Sequence, residues 1–366
     1  MGLFACKYFD ARRRTQPCRA NDPYATKCGI TTHCLIWALY GLTLIGSPQA
    51  SLAETLRIAT YAAPLSRAGP GLLLRDIEKG EDSQIAEIAQ VITDIDPDVL
   101  VLTDIDYDRD GLALAAFAGL LGADYAYQFA GPSNAGLPTG QDLDGNNHLG
   151  EARDAQGYGT FSGDGGIAIL SQFPLGEVTD LSDILWRDLP GATLPPMPAD
   201  VAAVQRLSST SHWIVPVMLA DGPVHVLAFA ATPPVFDGPE DRNGLRNRDE
   251  LRLWTHVFDG AYGPPPSSFV IAGNANLDPL AGDGLRSAMA AFLADPRLQD
   301  PLPGIATAAW SDRPELGALR VSYVLPSQDW RVVDAGVYMP APDDPSLLDR
   351  SLGAGPHWLV WVDIAR

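Results

Sequence analysis

Cysteine is missing from most of this chain of 366 residues. The four cysteines, Cys6, Cys18, Cys28 and Cys34, all fall within the first 34 residues, and none follows. A disulfide framework is therefore excluded for the body of the protein, which must be stabilised by a packed core.

Basic residues are scarce as well. The chain has 45 Asp and Glu against 25 Lys and Arg, and Lys79 is the last lysine in it. Beyond residue 53 the net charge is about −24, a balance that repels polyanions. Because the basic stripe that binds phosphate backbones is absent, nucleic acid is a poor candidate ligand. The acidic surface also favours solubility.

An apolar run, 35–45, follows a basic stretch and precedes the small residues A-S-L-A at 50–53. It is too short to cross a hydrocarbon core of about 30 Å. The pattern predicts a signal peptide or leader over 1–53, with cleavage after Ala53, and export to the periplasm or the medium. An uncleaved anchor is the alternative, and the first 25 or so residues also fit a misplaced start codon.

Residues 54–366 show no linker or repeat, so we expect one domain and a monomer. Hydrophobic periodicity predicts early βα units followed by many β-β connections. That order favours two packed mixed sheets covered by helices. Predicted helices span 83–95, 112–121, 247–258 and 285–293, and predicted strands span 56–61, 99–102, 125–129, 166–170, 213–219, 224–229, 268–272, 319–325, 331–337 and 357–364.

The stretch 267–279, S-S-F-V-I-A-G-N-A-N-L-D-P, marks one candidate site. Its apolar run predicts a strand buried on both faces, and its polar end falls where sheet enzymes place their chemistry. Asn274, Asn276 and Asp278 are the candidates, although such residues after a strand are more often turn formers.

Two long segments, 132–148 and 232–244, are predicted to be binding loops. The first carries Asp142, Asp144 and Asn146 at alternate positions, as oxygen ligands of calcium do. Arg153 stands where an EF-hand needs Glu, so turn chemistry is the favoured interpretation.

Together these signals resemble the endonuclease/exonuclease/phosphatase superfamily, and the resemblance covers essentially all of 54–366. The strings P-S-N-A-G-L-P-T-G-Q-D-L-D, R-L-S-S-T-S-H-W-I-V-P, T-P-P-V-F-D-G-P-E-D-R-N-G and Y-V-L-P-S resemble an exported bacterial branch of it. The resemblance implies a four-layer α/β/β/α sandwich of two packed mixed sheets. It also implies a divalent metal (Mg²⁺ or Mn²⁺) and histidines acting on a phosphate ester at one edge of the sheets.

Most site positions implied by the resemblance are substituted. The Asn that ends the first strand is Ala62, and the metal-binding Glu is Asp104. The catalytic His is Ala230, the general-base Asp is Asn274, a further Asp is Ser322, and the Asp before the last His is Pro356; only Asn276 and His357 are retained. An amide or an alanine cannot exchange a proton near neutrality.

Two interpretations follow. The favoured one is a weakly active or inactive pseudoenzyme that binds a small phosphate ester or an unknown extracellular ligand. The alternative is a working metal-dependent phosphodiesterase or phosphatase with a rearranged site. That site would use Asp104, Asn276 and His357 with carboxylates from Asp106, Asp278 or Asp283. For these three the simpler roles are helix capping and turn formation.

The first prediction concerns the N-terminus. Because the apolar run ends at a small-residue cleavage site, the mature protein should begin at Glu54 and contain no cysteine. N-terminal sequencing of protein from a periplasmic or medium fraction measures this directly. A cytoplasmic form that keeps 35–45 would contradict the prediction.

Overall fold

The computed structural model describes residues 55–122, 124–339 and 353–366. The predicted leader, 1–53, lies outside the described residues. Thirteen strands and six α-helices are present in the described part. The strands are β1 Leu56–Leu65, β2 Val99–Ile105, β3 Tyr127–Ala130, β4 Gly166–Ser171, β5 Thr179–Asp180, β6 His212–Leu219, β7 Gly222–Ala230, β8 Phe269–Asn274, β9 Ala308–Ala309, β10 Ala318–Leu319, β11 Ser322–Pro326, β12 Arg331–Val337 and β13 Val360–Ala365; the helices are α1 Leu72–Lys79, α2 Ser83–Ile95, α3 Leu112–Ala118, α4 Ala199–Val204, α5 Arg242–Phe258 and α6 Arg286–Leu293.

The strands form two large mixed sheets. The first has the order β12-β13-β1-β2-β4-β3, and the second has the order β11-β8-β7-β6-β5. The short strands β9 and β10 form a separate pair, and Ala308 of β9 also forms an isolated bridge with His357. In each large sheet one parallel pair stands among antiparallel neighbours: β1 with β2, and β7 with β8. Parallel neighbours end at the same edge, so the carboxyl ends of these four strands define two edges where polar residues gather.

Three apolar clusters show the layering. One joins α1, α2 and α3 to the outer face of the first sheet, and a second joins α5 and α6 to the outer face of the second sheet. The third lies between the two sheets and contains Val101, Ala228, Val270 and Val362. The order of layers is thus α/β/β/α, which confirms the predicted sandwich. No helix among the described residues is long and apolar enough to cross a membrane.

Most predicted elements are found, with shifted ends. The helix predicted at 83–95 is α2, with the same bounds. Its start is fixed by Asp82, whose carboxylate accepts hydrogen bonds from the backbone N–H groups of Gln84 and Ile85. The prediction missed α1, α4 and the short strands β5, β9 and β10. Among the elements it found, several boundaries shift: β1 continues to Leu65, β11 starts at Ser322, β13 at Val360 and α5 at Arg242.

Helix α5 starts earlier than predicted because its first turns bury a polar face instead of an apolar one. Arg246, Asn247, Asp249 and Glu250 are all buried. Glu250 accepts hydrogen bonds from the Ser209 N–H (2.6 Å), the Ser209 hydroxyl (2.7 Å) and the Thr232 N–H (2.7 Å). Hydrophobic periodicity cannot detect such a face, because its burial depends on donors from distant segments.

The second prediction tests this network. Glu250→Ala leaves three buried donors without a partner, so it should lower the free energy of unfolding by about 3–5 kcal/mol. Denaturant titration measures the change. Glu240→Ala is the control, since the exposed Glu240 carboxylate accepts only from Gly238 N–H and should change stability by about 0.5 kcal/mol or less. Equal stability of the two variants would contradict the proposed role of Glu250.

Candidate functional site

Strand alternation places four of the candidate positions on the inner faces of the sandwich. Ile58 of β1 faces the inner core, and Ala62 lies an even number of residues further along the strand, so it faces the same side. By the same alternation Ala230, Asn274 and Ser322 face inward from β7, β8 and β11. In the second sheet Ala230 pairs with Asn274, and Asn274 pairs with Ser322, so these three form one lateral row. In the first sheet Ala62 pairs with Thr103.

Contacts through 307–309 join the two rows at one end of the sandwich. The Thr307 hydroxyl accepts a hydrogen bond from the Ser322 N–H at 3.0 Å, and the Pro356 carbonyl accepts one from the Ala309 N–H at 2.9 Å. The adjacent Gly355 lies against Pro64 of β1, so close that a Cβ at Gly355 would stand 2.8 Å from Pro64 Cγ. These contacts bring the end of β1, the start of β11 and the residues before β13 to the same end of the sandwich, and we call the region between the two sheet ends there the cleft.

His357 stands just before β13 at this cleft. Its ring meets the Trp310 ring edge-on, with 5.3 Å between centroids. Its Nδ1 is buried and has no hydrogen-bond partner among the described residues. Burial lowers the pKa of His357 to about 4, so the ring is neutral near pH 7.

Asp104 is brought to the cleft by a β-bulge at the end of β2. It is the extra residue between Thr103 and Ile105 in the pairing with β4, and it has a φ of 68°. Asp104 is exposed as a residue, but one of its carboxylate oxygens packs closely against Gly165. Desolvation there is the main reason that the pKa of Asp104 rises to about 7; the carboxylates of Asp106 and Asp164 add to the rise, and a hydrogen bond from Ser66 opposes it.

Asp106 lies beside Asp104 but is already engaged. Its two carboxylate oxygens accept from the Arg67 N–H at 2.9 Å and the Gly165 N–H at 3.3 Å. Desolvation raises the pKa of Asp106 to about 6 despite these hydrogen bonds. It does not cap the following helix; that role belongs to Asp108, which accepts from the N–H groups of the first turn of α3.

The two asparagines of the 267–279 stretch shape the turn that follows β8. The Asn274 side-chain oxygen accepts a hydrogen bond from the Asn276 N–H at 3.0 Å. Asn276, at a φ of 51°, donates its side-chain amide to the Ala231 carbonyl at 2.8 Å. Helix α5 holds the same loops from behind, because the Asn247 amide donates to both the Thr232 and Ala275 carbonyls.

The remaining candidate carboxylates have structural positions. Asp278 accepts hydrogen bonds from the N–H groups of Leu280, Ala281 and Arg320, which makes it a turn former. Asp283 is exposed in the loop beyond it.

The loop 132–148 contains a separate acidic cluster. Carboxylate oxygens of Asp142, Asp144 and Asp154 lie within 4.8 Å of one another. Their oxygens are occupied by the loop itself, for example Asp142 by the N–H groups of Gly145 and Asn147 and Asp154 by the Leu143 N–H. This agrees with the turn chemistry favoured from the sequence.

Comparison with known proteins identifies the family. A sequence profile of the endonuclease/exonuclease/phosphatase family matches residues 77–358. The chain belongs to this family. No curated protein matches it significantly.

One solved structure shows the same fold, and two others are similar over most of their length. An endonuclease/exonuclease/phosphatase of Beutenbergia cavernae is 21% identical, with a TM-score of 0.52, and the match covers 85% of this chain and 71% of that one. Sphingomyelinase C of Streptomyces griseocarneus is 18% identical over 86% of this chain and 100% of its own, with a TM-score of 0.47. A beta toxin mutant of Staphylococcus aureus with bound magnesium ions is 12% identical over 86% and 100%, with a TM-score of 0.46.

The residues at the family positions of this chain do not fit a divalent metal. Magnesium needs several hard oxygen ligands in octahedral geometry, usually with one or two carboxylates. Here Asp104 offers the one open carboxylate, Asp106 is bound by backbone N–H groups, and Ala62 and Ser322 supply no charge.

Sequence reasoning missed two features of the family cleft. Thr103, paired with Ala62 on the inner face, has a buried hydroxyl with no hydrogen-bond partner in the described part of the chain, and so does Ser322. Trp310 packs on His357 from a loop with no strand or helix signal. The position of Thr103 directly before Asp104 was a usable signal, whereas nothing local to Trp310 indicated its contact.

The third prediction concerns the pH dependence of stability. The pKa of His357 is about 4 in the folded protein against about 6.5 in an unfolded chain. Between these two pKa values His357 is protonated in the unfolded chain but not in the folded protein. The free energy of unfolding should therefore decrease as the pH falls through this window, and His357 should cost no stability above it. His357→Asn removes the titration. Its stability deficit against wild type should therefore shrink between pH 7 and pH 4.5.

Denaturant midpoints of both proteins across this range measure the effect. A constant difference between the two curves would show that His357 takes up a proton as readily as in the unfolded chain.

Proposed function

We propose that the protein is an exported member of the endonuclease/exonuclease/phosphatase family that binds a small phosphate ester, or another extracellular ligand, without metal-dependent hydrolysis. The observation that carries the proposal is the row Ala230, Asn274 and Ser322, which ends three adjacent strands inside the cleft. At the family positions these residues replace a His and two Asp, and none of the three can take or give a proton near neutrality.

The surrounding electrostatics agree with the loss of hydrolysis. His357 is neutral, and Asp104 is a carboxylate whose pKa is raised to about 7, mainly by desolvation. Catalysis of phosphoryl transfer depends mainly on positive groups placed around the phosphate. The residues at the family positions of this chain supply no positive group, so we expect the rate enhancement to be lost.

A binding role is supported by the state of the cleft's polar groups. The hydroxyls of Thr103 and Ser322 and the Nδ1 of His357 are buried without a partner in the described part of the chain. Buried polar groups in folded proteins are nearly always paired with protein, water or ligand. When one of these three atoms binds a ligand or a water molecule, it therefore gives up no hydrogen bond within the described part of the protein.

The second candidate function is a phosphoesterase with a rearranged site. It is favoured by Asp104 and Asp106, whose pKa values of about 7 and about 6 suit a general base near neutrality. Asp278 weakens it, since its carboxylate accepts hydrogen bonds from three backbone N–H groups. The supporting evidence for export is the leader pattern alone.

The fourth prediction is a rescue experiment. A combined variant should gain metal-dependent hydrolysis of an activated phosphodiester such as bis(4-nitrophenyl) phosphate, because acid, base and metal ligands act as a set. The combined substitutions are Ala62→Asn, Asp104→Glu, Ala230→His, Asn274→Asp, Ser322→Asp and Pro356→Asp. Each single reversion should stay inactive. Release of nitrophenolate with Mg²⁺ or Mn²⁺, compared with a chelator, measures activity.

The control keeps Asn274 and reverts the other five positions; it should stay near background, since the general base is missing. If wild type hydrolyses the ester and neither Asn274→Ala nor His357→Ala changes the rate, the assignment of these positions is wrong. Circular dichroism checks that each variant is folded.

A further inference from the structure

The four most exposed large apolar side chains among the described residues are Leu149, Tyr158, Phe236 and Leu280, between 70% and 84% exposed. All four lie on loops at the cleft end of the sandwich. Single exposed apolar residues are common on any protein. Their concentration at one end, around a cleft, is typical of an interaction site.

Phe236 is held outward by its loop. It has a φ of 70° and is 84% exposed, although a bulky residue pays about 1–2 kcal/mol for this left-handed conformation. Asn243 holds the two residues that flank Phe236. Its side-chain amide donates to the Val235 carbonyl, and its backbone N–H donates to the Asp237 carboxylate. Strain maintained by such hydrogen bonds in an exposed aromatic residue points to a functional contact.

Leu280 is presented in the same way by the neighbouring loop. Its N–H donates to the Asp278 carboxylate at 2.7 Å, and its carbonyl accepts from Arg286 at 3.0 Å. The two loops are in contact, since a Cβ atom added to Gly284 would lie only 2.7 Å from the Pro234 Cβ. Phe236 and Leu280 therefore belong to one surface, which we call the apolar rim.

Acidic groups surround the apolar rim. Asp237, Glu240 and Asp283 are exposed on the same two loops. The basic residues nearby are engaged with backbone carbonyls: Arg242 with that of Leu143, and Arg286 with that of Leu280. The rim therefore presents apolar side chains within a field of negative charge.

We propose that the apolar rim docks a lysine- and arginine-rich protein segment that also carries apolar side chains. Charge complementarity selects this partner, because basic groups can pair with the rim carboxylates while its apolar side chains cover Phe236 and Leu280. A second copy of this chain would oppose like charges across the interface. An anionic bilayer would be repelled, and a neutral one leaves the carboxylates without partners.

The rim also adjoins the cleft. Phe236 lies a few residues beyond Ala230, and Leu280 a few residues beyond Asn274. The two loops are tied together at their base by the hydrogen bond from Asn276 to the Ala231 carbonyl. A docked segment would consequently cover the cleft mouth on the side of β7 and β8.

The test uses short labelled peptides and the purified protein, with fluorescence anisotropy as the readout. One peptide alternates lysine and leucine, and matched peptides replace lysine by glutamate or leucine by serine. The lysine-leucine peptide should bind best. Phe236→Asn, which suits the left-handed backbone, and Leu280→Ser should each weaken it about tenfold. The control Met218→Ser changes an exposed apolar residue at the opposite end of β6 and should leave binding unchanged.

Several results would overturn the proposal. One is the absence of binding by the lysine-leucine peptide, and another is equal binding by the rim variants and the Met218→Ser control. Binding to phosphatidylcholine vesicles that is lost in the rim variants would assign the surface to a lipid bilayer. A dimer in sedimentation that dissociates in the rim variants would assign it to a second copy.

Discussion

The packing of the inner faces of the two sheets is the constraint on which the rest of the structure depends. Small and β-branched side chains such as Val101, Ala228 and Val270 fill the space between the sheets and fix their separation. Every strand that passes through this core also ends at the cleft. The positions of Ala62, Ala230, Asn274 and Ser322 are therefore set by core packing, whatever side chain occupies them.

The side chains at these positions are all small or of medium size and are buried at the end of the inner core. Residues of this size fit between the sheets without disturbing the layers, so the fold does not depend on which chemistry they carry. The buried polar face of α5 also supports the scaffold without involving the candidate catalytic side chains. Glu250 and Asn247 hold the loops after β7 and β8 by their backbone groups, and this support does not require the catalytic residues to be present.

The electrostatic character of the cleft end differs from what phosphoryl transfer needs. Among the described groups there, Asp104 and Asp106 have raised pKa values, His357 is neutral, and Arg242 is engaged with a backbone carbonyl. Recognition at this end must accordingly rest on hydrogen bonds and apolar contacts in the cleft and on negative charge at the rim. Both proposals, a cleft that binds without hydrolysis and a rim that docks a basic segment, follow from this arrangement.

The sequence by itself determined the layered fold and the end of the sandwich where the site lies, because helix and strand periodicities and strand-end polar residues are local patterns. It also indicated the substituted positions through resemblance. Only the tertiary structure decided that Asp104 is turned into the cleft by a bulge, that Asp278 forms a turn, and that the first turns of α5 are buried through hydrogen bonds to distant loops. These outcomes depend on which groups meet across long sequence separations, and no local pattern records that.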